Sequence, residues 1–402
     1  MKVKYLILGA GPAGLSFANR IKQLGEENFL VLEKENEAGG LCRSKDVDGS
    51  PLDIGGGHFL DVRDKQVNEF LFGFMPKEEW NLYERNSQIH LGEYLVHHPL
   101  EANIWEMPQN EQIKYLKSIA IAGCNLDTPK PQEFVKWIDW KLGKQIAEEY
   151  MLPYNKKMFG EELNELGTYW LEKLPNVSFE ETLLSCLNKQ PYGTQPGHAQ
   201  FYYPKKYGYG ELWIRMADAL QEKILYGKNI VELDFKDKSV TCSDGSVIEA
   251  ENIITTIPWT SFECIRNMPE TLCKDIQKLK HTSVTVTYYP VMLDTTAHWI
   301  YYPDKNLEYH RILVRSNFLP NSKGYWTETN TERYTSKEYD SYNNEYAYPL
   351  NTIEKPEIMN RLLKWAEENK VIDLGRWGEW QHYNSDVTVA LALKLADKLM
   401  ER

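Results

Sequence analysis

Six residues close to the start of the chain, Gly9-Ala10-Gly11-Pro12-Ala13-Gly14, restrict the possible folds more than any other segment. They come after an apolar run, Lys4-Tyr5-Leu6-Ile7-Leu8, that reads as a buried parallel strand. After them Leu15, Ala18, Ile21 and Leu24 recur at helical spacing. The three glycines have separate mechanical duties. Gly9 permits a tight turn, Gly11 lets the backbone approach a pyrophosphate, and Gly14 lets helix and strand pack closely. The pyrophosphate then rests on backbone N–H groups at the positive end of the helix. A second strand, Phe29-Leu30-Val31-Leu32, ends in Glu33, where an acid accepts hydrogen bonds from ribose hydroxyls. Strand, turn, helix, strand and acid in register predict a Rossmann-type dinucleotide site.

Two glycine-rich segments beyond Glu33 favour FAD as the dinucleotide. Gly39-Gly40-Leu41-Cys42-Arg43-Ser44 supplies a glycine pair where backbone passes near a large ligand. Leu52-Asp53-Ile54-Gly55-Gly56-Gly57-His58 adds a strand ending in three glycines. One extended cofactor lying across three glycine clusters explains them better than three unrelated turns. The expected contacts in this region are Gly9, Gly11, Pro12, Ala13, Gly14, Glu33, Lys34, Gly40, Leu41, Gly57 and His58.

At 402 residues the chain exceeds the length at which one hydrophobic core keeps growing, which implies two or three subdomains. Residues 64–190 read as mainly helical, with apolar residues three and four apart over 112–122 and 134–150. Strands are expected over 228–235 and 239–242, with a turn at Ser243-Asp244-Gly245, and again over 252–258. Sheet continues over 284–289, 299–302 and 311–315, and a last strand over 371–375 leads to a closing helix, 386–400, capped by Asn384 or Ser385. The expected fold class is α/β. A Rossmann-type FAD-binding domain takes residues 1–63, 204–260 and 365–402, a helical substrate domain 64–190, and a separate antiparallel β-sheet domain 191–203 and 261–364.

A net charge of −12 argues against nucleic acid or anionic lipid as a partner, so an anionic substrate would need arginines gathered locally. No stretch approaches the roughly 18 apolar residues of a membrane span, and the chain runs from Met1 straight into a strand, leaving no room for a signal peptide. The six cysteines form no C-x-x-C pair, which predicts free thiols, no metal and a cytoplasmic protein. His97-His98 has metal-like types without a third partner at suitable spacing and reads as loop structure.

Several segments in shared order resemble the UDP-galactopyranose mutase family, over most of the chain. Gly56-Gly57-His58-Phe59 is similar to the family's Gly-Gly-His or Gly-Pro-His segment, and Tyr154-Asn155-Lys156-Lys157-Met158-Phe159-Gly160 to Y-x-x-K-x-W-G. Gly208-Tyr209-Gly210-Glu211 resembles the glycine loop beside the flavin. Tyr309-His310-Arg311, Glu345-Tyr346-Ala347-Tyr348-Pro349 and Gly375-Arg376-Trp377-Gly378 complete the match.

The resemblance implies an FAD-dependent mutase that interconverts pyranose and furanose forms of a nucleotide-diphosphate sugar, UDP-galactose-like, with the reduced flavin N5 as nucleophile at the anomeric carbon. It implies catalytic roles for His58, Arg311 and Tyr348, with Arg311 clamping the diphosphate, and places Tyr154, Phe159, Lys173, Arg311 and Tyr348 at the substrate. It adds Gly208, Gly375, Arg376, Asp386 and Val387 to the cofactor contacts. An external reductant is implied, and a homo-oligomer is compatible with it. Lys173 stands where the family has a mobile-loop arginine, keeping the charge but not the bidentate fork. Phe159 replaces a tryptophan and Asn384 an acid, which leaves room for a deoxy or other nucleotide sugar. The competing expectation is an oxidoreductase of the amine-oxidase or protoporphyrinogen-oxidase type, which shares the N-terminal architecture. A flavin-bound scaffold without turnover is a third. Amine oxidases have no need of a diphosphate clamp.

Overall fold

The strand Lys2–Leu8 is buried along almost its whole length, as an apolar run flanked by strands on both sides must be. In the computed structural model, which describes residues 2–125, 128–171, 178–192, 199–336 and 339–401, this strand is central to an eight-stranded sheet. It pairs in parallel with Phe29–Leu32 on one side and with Val247–Thr255 on the other. Ile224–Leu225 extends the parallel part at one edge, and Val371–Asp373 pairs in parallel with Val247–Thr255. Ser239–Cys242 runs antiparallel to Val247–Thr255 and pairs in turn, antiparallel, with Ile230–Asp234, and Asp244 caps the expected turn by accepting the Ser246 N–H at 2.9 Å. The helices Pro12–Gln23 and Ser385–Met400 pack against one another beside this sheet.

These elements belong to one of two compact units, comprising Met1–Leu82, Tyr202–Lys280 and Glu354–Arg402. The unit exceeds the expected Rossmann domain. Past residue 260 it keeps Cys264–Arg266, which pairs in parallel with Ile230–Asp234, and the helix Glu270–Ile276. The helices Lys65–Phe72 and Lys355–Glu368 also belong to it.

The second unit comprises Tyr83–Phe201 and His281–Ile353. Its sheet runs Ser341–Pro349, His281–Tyr289, Tyr325–Asn330, Arg311–Leu313, Trp299–Tyr301, Ser87–Leu91, Tyr94–His97. All neighbours are antiparallel except Trp299–Tyr301 against Ser87–Leu91. Here the structure corrects the sequence reading. Residues 64–190, read as mainly helical, also contain Ser87–Leu91 and Tyr94–His97, a hairpin that extends the sheet. Helices and sheet therefore share one unit instead of forming two domains. Ser87–Leu91 alternates buried and half-buried residues, and Gly92, at φ +58°, makes the turn. The helix expected over 134–150 also stops early, at Leu142, because Gly143 adopts φ +81°. A fresh helical run leads to Leu152–Phe159.

The architecture is thus α/β, a Rossmann-like unit plus a second unit built on a separate, mainly antiparallel sheet. Among the described residues no helix is long and apolar enough to cross a membrane, and no group of three or more His, Cys, Asp or Glu side chains is placed to hold a metal.

Candidate functional site

In the first unit the turn after Lys2–Leu8 has the geometry its glycines foretold. Gly9 lies at φ +102°, and a Cβ on Gly14 would fall 2.0 Å from the Gly9 carbonyl oxygen. Gly11 occupies the N-cap of Pro12–Gln23 without a side-chain capping bond, and no acid sits in the first turn. The helix start therefore presents uncapped N–H groups beside Pro12 and Ala13, as an anion requires. Other loops close on this turn. The Gly39 N–H bonds to the Ala10 carbonyl at 2.8 Å, and a Cβ on Gly40 would lie 3.3 Å from Gly11 Cα. Gly375, at φ +79°, comes so near that a Cβ there would meet the Ala13 methyl at 2.7 Å. The glycines are needed for close approach, and the cradle they leave fits a dinucleotide.

Glu33 is buried and accepts the Ala10 N–H at 2.7 Å and the Glu35 N–H at 3.0 Å. Burial pushes its carboxyl up, and those backbone bonds pull it back. Gly375 donates its N–H to Glu379 at 3.2 Å, and Arg376 donates from Nε and Nη2 to the Tyr383 carbonyl at 3.0 and 2.7 Å. His58 is fixed through Nδ1 to the Gly56 carbonyl, 2.9 Å away, and stacks on Tyr209 at 6.4 Å between ring centroids. The Tyr209 hydroxyl shares a hydrogen bond with Ser385 Oγ at 2.7 Å, so Gly57 and His58 are tied to the start of the closing helix, where buried Asp386 lies. Asn384 holds the N-cap position there, although its side chain makes no capping bond.

The other expected cofactor residues are placed as follows. Lys34 is largely exposed and 3.9 Å from Glu35, and Val387 is 39% exposed. Leu41 is fixed by packing, since a Cβ on Gly55 would fall 1.8 Å from its carbonyl oxygen. Gly208 packs on Ser44 and Asp53 in the same way. Asp53 itself was missed. Fully buried, it accepts from Ser44 Oγ at 2.6 Å, Tyr203 Oη at 2.9 Å and the Tyr209 N–H at 3.1 Å. Burial raises its carboxyl to about 7 against the pull of those bonds. An acid in front of three consecutive glycines was the available clue. Cys42 is buried, and burial pushes its thiol well up, which makes it inert packing.

In the second unit, Arg311 and Glu328 are cross-strand neighbours. Arg311 donates to Glu328 Oε2 from Nε at 2.8 Å and from Nη2 at 2.7 Å. Glu328 is 1% exposed and the Arg311 side chain 22%. Burial works against the guanidinium charge, but Glu328 above all secures it. Among the described residues, Glu328 engages one edge of the guanidinium, which leaves the Nη1 amino group for another acceptor. Glu328 was also missed, because nothing local marks it.

The aromatic residues expected at the substrate are linked around this pair. Tyr154 meets His310 edge-on at 5.9 Å and Tyr301 at 5.5 Å. Phe159 meets Tyr348 at 6.3 Å and Trp170 at 6.4 Å, both nearly perpendicular. The helix Leu152–Phe159 is held to the sheet by Lys157, buried, which donates to the Tyr302 and Asp304 carbonyls at 2.7 and 2.8 Å. Burial, aided by Arg333, lowers the Lys157 amine to about 7. Lys173 lies outside the described residues. His97 pairs with Glu106 at 2.7 Å instead of joining a metal set.

Residues 7–72 match the family model of an NAD(P)-binding Rossmann-like domain. Over 87 residues the chain is 31% identical to a Baeyer-Villiger monooxygenase of Pseudomonas aeruginosa, covering 21% of this chain and 14% of that protein. Over 53 residues it is 43% identical to an uncharacterized protein from the nifH2 3' region of Methanothermococcus thermolithotrophicus, covering 13% of this chain and 50% of that one. The chain thus spans half or less of the length of these relatives. Solved structures extend the likeness to the whole chain. Reduced UDP-galactopyranose mutase superposes with a TM-score of 0.91 at 21% identity, covering 100% of this chain and 94% of that one. Cyclohexylamine oxidase from Brevibacterium oxydans gives 0.68 at 14% identity, covering 99% of each chain. A putrescine oxidase gives 0.64 at 12%, covering 100% of each. Over its full length the chain has the fold of UDP-galactopyranose mutase, shared more distantly by these amine oxidases, and it opens on an NAD(P)-binding Rossmann-like segment.

Proposed function

We propose that this chain is an FAD-dependent mutase that interconverts pyranose and furanose forms of a nucleotide-diphosphate sugar, UDP-galactose-like. One observation carries the reading. Arg311 is held by buried Glu328 with an amino group to spare, beside tyrosines, in a chain whose net charge is −12. An anion clamp set against the overall field suits a diphosphate, and amine oxidation has no use for it. When bound and reduced, the flavin supplies a nucleophilic nitrogen for the anomeric carbon.

The chain's own residues divide the remaining work. The Gly9–Gly14 turn and the uncapped start of its helix hold the pyrophosphate of FAD, with Glu33 on the ribose side. His58, immobilised by Gly56 and Tyr209, would lie beside the flavin ring. Arg311 and Tyr348 stabilise the charge that grows on the departing diphosphate, and Tyr154 and Phe159 receive the base. Lys173 adds a second positive charge without the bidentate fork. An external donor would be needed to supply the flavin's electrons.

The fold of the amine oxidases supports a second reading, a true oxidoreductase. The variant Arg311→Ala separates the two. It should retain FAD while conversion of UDP-galactofuranose falls by about a hundredfold or more. Undiminished conversion would remove Arg311 from the site. Oxygen-consuming turnover of an amine, unaffected by the change, would favour the oxidase.

A further inference from the structure

His310 precedes Arg311 and is fully buried, yet neither of its ring nitrogens has a hydrogen-bond partner among the described residues. A neutral imidazole carries one N–H and one acceptor nitrogen, and burying both unpaired is costly. The Nε2 atom lies 3.7 Å from Glu328 Oε2, the oxygen that already accepts both bonds from Arg311. The charged and titratable groups around the ring are Arg311 beside it, Glu328 on the facing strand, and Lys157 and Tyr154 on the helix Leu152–Phe159. Burial first, then Arg311 and Lys157, keep the ring neutral. Glu328 does not counter this, because Arg311 has claimed it.

We propose that Glu328 and His310 are positioning residues for Arg311, and that binding of a nucleoside-diphosphate sugar is coupled to uptake of a proton at His310. An anion on the Arg311 amino group draws the guanidinium toward itself and loosens its grip on Glu328. The Glu328 carboxylate then takes the His310 Nε2–H, and the imidazole accepts a proton from solvent. Charge balances: the diphosphate brings negative charge, and the proton offsets part of it. The proposal rests on the reading of Arg311 as a diphosphate ligand.

Calorimetric titration tests it, using the full chain with its flavin oxidised so that no turnover occurs. The probe is UDP-galactose, whose diphosphate diester does not titrate near neutrality. In two buffers of unlike ionisation enthalpy at neutral pH, proton uptake should approach one per ligand bound. Affinity should then weaken by up to about tenfold per pH unit as pH rises. His310→Asn should bind UDP-galactose with no uptake and a flat pH profile. Glu328→Gln should lose the uptake and weaken affinity by about tenfold. Should His310→Asn fail to retain flavin, His310→Gln and the wild-type pH series decide. Binding without uptake in the wild type, pH-independent affinity, or unchanged uptake in the His310 variant overturns the proposal and leaves the function intact. Failure of the wild type to bind UDP-galactose at any pH overturns the diphosphate reading, and the proposal with it.

Discussion

At Gly14 a single methyl group decides whether the cofactor turn can form. Placed there, it would sit 2.0 Å from the Gly9 carbonyl oxygen, backbone against backbone, with no flexible side chain to yield. Overpacking of this kind costs roughly 1–3 kcal/mol, and about 1.4 kcal/mol is tenfold in an equilibrium. Purified Gly14→Ala should therefore carry about a tenth or less of the wild-type flavin per chain, read from visible absorbance. Gly123→Ala, whose methyl meets nothing within 4 Å, should carry the full amount. Asp53 makes a second residue-scale prediction. In the unfolded chain an aspartate titrates near 3.9, about the value for model peptides, whereas burial holds Asp53 at about 7 in the fold. The folded state thus keeps the proton longer. Its contribution to stability is fully present below about pH 4 and is lost as pH rises through about 7. Asp53→Asn, which cannot ionise, should show a smaller decline in unfolding midpoint over that interval than the wild type. Parallel profiles would mean that Asp53 ionises normally within the fold.

Among elements, the helix Leu152–Phe159 carries Tyr154 and Phe159, and Lys157 is the bolt that holds it to the loop of Tyr302 and Asp304. Lys157→Met takes the Lys157 donor from the half-buried Tyr302 carbonyl, at roughly 1–3 kcal/mol, while the Asp304 carbonyl keeps the Leu307 N–H at 3.2 Å. The thermal midpoint should fall by roughly 5 °C or more, and KM for the nucleotide sugar should rise more than kcat falls. An unchanged midpoint would show that the helix is held by packing alone. Elements were legible in the sequence where their signal is local. Glycine spacing, apolar periodicity and Asp-Gly turns marked the first strand, the first helix and the Ser239–Cys242 hairpin. The strands Ser87–Leu91 and Tyr94–His97 were hidden by the helices that come after them, and they decide that helices and sheet form one unit. Glu328 and the partners of Asp53 were not legible at all. Tyr203 lies 150 residues from Asp53, and only the folded sheet shows that Glu328 faces Arg311.

For the whole molecule, the cofactor turn and the fold could be read from order and spacing, while function rests on which fold neighbour the chemistry resembles. A fold shared by a mutase and by amine oxidases does not choose between them. The proposal rests on a charge pattern, Arg311 held by buried Glu328 in a chain of net charge −12. The same pattern predicts that raised salt weakens nucleotide-sugar binding only modestly, because a clamp inside a buried pair is screened less than surface charge. A steep loss of affinity with salt would point to a surface site instead. The central claim is that the flavin acts without net redox change. Its most direct test is to incubate the purified protein with UDP-galactofuranose, once with the flavin reduced by dithionite and once oxidised, and to separate the products. Conversion to UDP-galactopyranose with reduced flavin alone is the predicted result; no conversion in either state, together with oxidation of an amine at the expense of oxygen, would contradict it.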